Sequence, residues 1–363
     1  MTQHGTVLSF LNAPLKAGTF LKLGLVIGAL LTAACGKESS SSEVAAVPKQ
    51  DAGGIITVYS ERKEHLIKPM FDAYTQKTGV QVRYITDKAG PLISRLQSEG
   101  ASTQADMLVT VDAGNLWQAA EQGVLRAVES PILEANVPAN LQDENNLWFG
   151  LSQRARTIIY ATDRVKPSEL STYEALADSQ WKGRLCLRTS KKVYNQSLVA
   201  TLIATQGEAK TEEIIKGWVA NLATAPYSND TSLMEDIVAG RCDVGIVNTY
   251  YFGRMQKQTP DVKLALFWPN QSDRGVHVNI SGAGITQHAK NPEGAQKLLE
   301  WLSSPEAQYT FAELNQEYPV HTGVKPSAQV LSWGEFKADQ VNMSSAGRLQ
   351  AAAVKLMDRA GYR

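Results

Sequence analysis

Neither sign of charge dominates this 363-residue chain, in which 36 lysines and arginines balance 36 aspartates and glutamates. Nucleic-acid binding draws on a basic excess that displaces counterions from phosphates, and this composition offers none. Long apolar runs are also missing. The stretch "LGLVIGALLTAA" is too short to cross a bilayer, but it follows Lys16 and Lys22 and ends in small residues, as a secretory signal does. Histidine is scarce, and beyond that leader His65, His277, His288 and His321 show no metal-motif spacing. No GxSxG, HExxH or phosphate-binding loop occurs, so an enzyme reading finds little support.

Cysteine is nearly absent, with three residues in all. Cys35 follows "LTAA", which resembles a lipoprotein processing box. Residues 1–34 then read as a signal peptide, Cys35 as the acylated first residue, and 35–53, rich in Ser, Ala and Gly, as a flexible tether. That makes the protein exported and periplasmic, held at the membrane by its lipid. Cys186 and Cys242 would sit in an oxidising compartment, each opening a strand-like run ("LCLR" and "CDVGIV"). They are expected to pair, with two separate buried thiols as the other reading.

From Ile55 strands alternate with helices. "IITVYS", "VQVRYI" and "ADMLVTV" read as strands, and "EHLIKPMFDAYTQKTG", "PLISRLQSEG" and "GNLWQAAEQG" as helices. A second series follows Trp148, with strands "RTIIYAT", "RLCLR" and "DVGIV". Such βαβ alternation argues for α/β architecture. "NPEGAQKLLEWL" and "SPEAQYTFAEL" are expected helices, each opening with an N-cap residue and a proline. The segment "HVNISGAGI" reads as a strand crossing back between domains. The expected plan is a first lobe beginning with 54–150, a second lobe over 151–277, and a return to the first lobe with the terminal helices over 278–363. Ligands would bind in the cleft between lobes, beyond the strands' carboxyl ends.

Tyr59, Tyr250 and Tyr251 fall at expected strand ends, and Tyr194 just before a helix. A phenol is neutral at physiological pH, but a strongly charged cation favours its deprotonated form. Hard cations prefer oxygen donors, and trivalent iron is harder than any divalent ion. Converging phenolates would be costly without such an ion, because buried like charges repel. Arg62, Arg154 and Arg254 could offset that cost or hold an anion such as carbonate. A tyrosine pair also reads simply as core and rim, so residue chemistry alone leaves a two-lobed binding protein for a polar ligand.

The stretches "VYSERKE", "GLSQRARTIIY", "VYNQSLVA" and "CDVGIVNTYYFGRM" resemble the ferric iron-binding proteins, periplasmic substrate-binding subunits of iron ABC importers. The resemblance runs from about Ile55 through the terminal helices. It implies a two-lobed type II periplasmic-binding-protein fold, each lobe a mixed, mostly parallel sheet flanked by helices. It further implies Fe(III) ligation by Tyr194, Tyr250 and Tyr251, with Tyr59, Arg154 and Arg254 close behind the ligands. Relatives that read "YSxRHY" supply another donor where this chain has Lys63 and Glu64. Either Glu64 replaces it, or an anion held by Arg62 completes the shell; His65 is a further candidate. The implied partners are an inner-membrane permease and its ATPase, with the binding protein itself a monomer. An organic anion or a polyamine on the same fold is the alternative cargo.

Overall fold

A computed structural model describes residues 54–363. The expected signal, Cys35 and the tether up to residue 53 lie outside the described residues. In chain order the first elements are β1 (Ile56–Ser60), α1 (Glu64–Thr78), β2 (Val82–Thr86), α2 (Ala89–Glu99), β3 (Met107–Thr110), α3 (Ala113–Glu121), β4 (Leu125–Arg126) and α4 (Pro131–Asn136). Then come β5 (Phe149–Ala161), β6 (Leu185–Cys186), α5 (Val193–Gln206), α6 (Glu208–Ala220), α7 (Asp230–Val238), β7 (Val244–Asn248), α8 (Thr249–Gln258) and β8 (Leu264–Phe267). The remainder is β9 (Val278–Thr286), α9 (Pro292–Ser303), α10 (Pro305–Asn315), α11 (Ala328–Leu331), α12 (Met343–Arg348) and α13 (Gln350–Arg359).

The helix boundaries follow local chemistry. Gly79, at φ 76°, ends α1 in the left-handed conformation that a side chain resists. Asn291 and Ser304 cap α9 and α10 through their side chains, each followed by proline, as the sequence suggested. Asp112 caps α3 by accepting from the Gly114 amide.

The strands form one mixed sheet in the order β2-β1-β3-β9-β5-β7-β6, with β4 added to β9 and β8 to β5. Parallel pairs lie toward the ends (β1 with β2 and β3, β6 with β7), and antiparallel pairs fill the middle. Two long strands join the halves. β5 pairs with β9 through its first residues, Phe149–Ala155, and with β7 through Arg156–Tyr160. On β9, a Cβ at Gly282 or Gly284 would come within 2.5 Å of the Phe149 or Leu147 carbonyl oxygen, so only glycine allows this approach.

One expectation changes. The strand expected from Arg156 begins seven residues earlier, at Phe149, and is buried on both faces. Its Ser152, Arg154 and Arg156 are buried polar residues, Arg154 lining the cleft, Ser152 accepting from Arg62 and Arg156 donating to Asn195, Asp230 and Asn248, which hides the usual apolar pattern. The elements of residues 278–363 divide in their packing. α9 and α10 stay beside β9 and β5, whereas α13 buries Ala353, Leu356 and Met357 against α5 and α6 of the second half. An apolar helical stripe packs wherever matching surface is available, and α5 is apolar on nearly every side.

Candidate metal centre

The cleft opens where the two halves of the sheet meet, as a cavity of about 660 Å³. Tyr194, Tyr250 and Tyr251 all line it. Tyr194 sits in the first turn of α5, and the tandem tyrosines in the first turn of α8. The strand end expected for the pair is therefore a helix start, since β7 stops at Asn248 and α8 begins at once. The turn brings the two phenol rings to 4.6 Å between centroids, tilted by 37°. Asn248 is the N-cap, yet its side chain does not cap. Its Nδ2 donates to the Tyr250 hydroxyl at 3.1 Å and its Oδ1 accepts from Arg156 at 3.1 Å. An asparagine that could satisfy the helix start is instead committed to fixing a phenol. Both phenol-bearing helices point their amino ends at the cleft, where the peptide dipoles favour negative charge.

The electrostatics fit phenols that are neutral when empty and anionic when loaded. Burial pushes Tyr194 above the ordinary phenol range, with Arg154 opposing and Tyr251 adding to the rise. Burial pushes Tyr250 well above that range, helped by Tyr194 and Tyr251 and opposed by Arg154. Cations surround the rings. Arg154, Arg188 and Lys192 lie 5.4, 5.3 and 5.2 Å from the Tyr194 centroid, and Arg254 lies 5.0 Å from that of Tyr250. In all, seven basic side chains line the cavity (Arg62, Lys63, Lys88, Arg154, Arg188, Lys192, Arg254) against three acidic ones (Glu61, Asp87, Glu317). Among the described residues no three His, Cys, Asp or Glu cluster as a metal site. The oxygen donors available to a hard cation in this cleft are the three phenols and the lining carboxylates Glu61, Asp87 and Glu317, with anions attracted by the basic lining.

The other expected residues divide. Arg154 and Arg254 line the cavity beside the phenols. Arg154 donates to the Val111 carbonyl and lies 3.7 Å from Asp112, and its Nη1 has no partner among the described residues. Arg62 also faces the cavity, but its charge is matched: it meets Glu317 at 2.9 Å and donates to Ser281 at 2.7 Å and Ser152 at 3.3 Å. Glu64 is exposed and accepts from Tyr84 at 2.9 Å, and it does not line the cavity. His65 is exposed one residue along the same helix.

Tyr59 also lies away from the cleft. Strand alternation sends its ring under α2, where its hydroxyl donates to Glu99 at 2.9 Å and Arg95 lies 4.8 Å from the ring centroid. The sequence reading missed Arg188, which is buried, paired with Asp230 at 3.3 Å, and within 5.8 Å of the Tyr251 ring as well as near Tyr194. Its place two residues beyond Cys186, ahead of the "VYNQS" turn, was the available signal. Cys186 and Cys242 form a disulfide that ties β6 to the start of β7.

A family model for bacterial extracellular solute-binding proteins matches residues 69–338. The chain is 42% identical over 354 residues to iron uptake protein A1 of Synechocystis sp., covering 95% of this chain and 98% of that one. It is 24% identical over 320 residues to the major ferric iron-binding protein of Neisseria meningitidis serogroup B, covering 85% and 93%. Among solved structures, a Trichodesmium protein in complex with iron and citrate ligands superposes with a TM-score of 0.82 at 46% identity, covering 85% of this chain and all of that one. A ferric binding protein from Campylobacter jejuni gives a TM-score of 0.80 at 34% identity, with coverage of 85% and 100%.

Proposed function

This chain belongs to the bacterial extracellular solute-binding protein family, and from that premise we propose that it captures Fe(III) in its cleft for delivery to a membrane permease. The observation that carries the proposal is the gathering of three phenols, Tyr194, Tyr250 and Tyr251, at one basic cavity. As Fe(III) arrives, each phenol gives up its proton and becomes a hard oxygen donor. Three phenolates balance the charge of the ion, and the nearby guanidiniums and the two helix amino ends are left to favour a further anion. The relatives that carry iron in their names, and the neighbour solved with iron and citrate, support this cargo.

The basic lining exceeds what three phenolates and one trivalent ion require, which favours an anionic co-ligand. Arg154, with a free Nη1, is better placed to hold it than Arg62, which Glu317 already neutralises. Glu64 and His65 stay outside the shell. The same lining opposes a polyamine. Closure would come from bending at β5 and β9, the strands that join the halves, with the loaded form read by a permease and its ATPase. Export through the leader and lipidation at Cys35 would place the monomeric protein at the outer face of the inner membrane.

The test is calorimetric titration of iron-stripped protein with ferric citrate and, separately, with citrate alone. Saturation near one equivalent of ferric citrate, at an affinity well above that for citrate, supports the ferric reading. Equal affinity for both would assign the cleft to an organic anion.

A further inference from the structure

Tyr362 takes no part in the cleft, yet it is 2% exposed although it lies beyond the last helix, α13. Its hydroxyl donates to the Arg188 carbonyl at 2.5 Å and accepts from Asn195 Nδ2 at 2.8 Å. Asn195 in turn donates to the carbonyls of Arg188 at 2.7 Å and Thr189 at 3.1 Å, and accepts from Arg156 Nε at 2.9 Å. One residue on, the Arg363 carbonyl accepts from the Ser190 amide at 3.3 Å. These bonds hold both ends of a single segment: Arg188, whose guanidinium lies against the Tyr194 and Tyr251 rings, and Asn195, which directly follows Tyr194.

A phenylalanine would fill the same apolar space under α5. The hydroxyl adds a hydrogen-bonded clamp on the backbone that presents a phenol and its cation. We propose that Tyr362 is a positioning residue of the metal centre, fixing Arg188 and Tyr194 through the Arg188 carbonyl and the Asn195 amide. A positioning hydrogen bond acts on geometry, so its loss should appear in the bound metal's environment more than in the stability of the fold. This inference rests on the ferric reading of the cleft.

The test compares wild type, Tyr362→Phe and Ala353→Gly in the full chain, each iron-stripped and titrated with ferric citrate. Ala353 lies on α13, the helix that precedes Tyr362, buried but remote from Arg188 and Asn195 in sequence and hydrogen bonding, and its replacement costs helix stability. Tyr362→Phe should loosen iron by roughly three- to tenfold, the worth of one buried hydrogen bond, and shift the phenolate-to-iron absorption maximum. Ala353→Gly should lower the melting temperature by at least as much while leaving affinity and absorption as in wild type. Wild-type affinity and absorption in Tyr362→Phe, or losses in both variants that simply follow melting temperature, would overturn the positioning role alone. A wild type with no such absorption would overturn the ferric reading, and the inference with it.

Discussion

Removing the Cys186–Cys242 bridge separates what holds the fold from what shapes the cleft. The bridge closes a loop of 56 residues. Chain-entropy reasoning for a loop of that length gives a loss of about 4 kcal/mol at 25 °C when it is opened. For a fold of this size that corresponds to a fall of about 6 °C in melting temperature. The effect acts mainly on the unfolded chain. In the native state β6 still pairs with β7, and Leu233, Met234, Ile237 and Val247 still pack around both cysteine positions. A Cys186→Ala, Cys242→Ala double variant should therefore melt much earlier yet bind ferric citrate within about twofold of wild type. A thermal scan and an iron titration on the same preparation make the comparison. An unchanged melting temperature would refute the entropic reasoning. A folded variant with a strongly weakened site would show instead that the bridge positions Arg188 and the tandem tyrosines.

Other perturbations probe the ground beneath the phenols. Burial raises Asp112 to about 6, with Arg154 opposing, so the folded protein keeps a proton there that the unfolded chain loses at lower pH. The stability this confers is complete only well below pH 4 and is lost as pH rises through 6. The advantage of wild type over Asp112→Asn in urea unfolding should thus be roughly 2 kcal/mol larger at pH 4 than at pH 7. Glu317→Gln leaves Arg62 buried without its counter-charge. It should cost about 3 kcal/mol in the empty protein and raise the affinity for citrate alone, read by calorimetry. At Gly253 on α8, a Cβ would meet the Trp333 ring at 2.9 Å and Gln316 Oε1 at 2.6 Å. Gly253→Ala should cost about 1–3 kcal/mol and weaken iron binding as well, because α8 must shift and carry its tyrosines with it.

Much of this was legible in the sequence where periodicity and caps agree. The first βαβ units, the capped α9 and α10, and the cysteine pairing all follow from local pattern or compartment. Legibility failed where function displaces the pattern. The first half of β5 is buried but polar, because Arg154 lines the cleft and Ser152 accepts from Arg62, so no apolar period marks it. The start of α8 reads as a strand end because the apolar run of β7 passes into the helix with no loop between them, Asn248 serving both as last strand residue and N-cap. Tyr59 looks equivalent to the other strand-end tyrosines, and only the alternation of side chains along β1 turns it toward Glu99 instead. Arg188 is visible as a residue, but its role depends on Asp230 and on two rings brought together from distant parts of the chain. The three phenols were named through family resemblance, and chemistry then explains why the cleft is basic around them.

The most direct measurement is the visible absorption spectrum of iron-stripped protein during titration with ferric citrate. It should be run beside Tyr194→Phe and the Tyr250→Phe, Tyr251→Phe pair. Phenolate ligation predicts an orange-to-red band that saturates near one equivalent and is lost or strongly shifted in the variants. A colourless endpoint, or a band indifferent to all three tyrosines, would contradict the phenolate site.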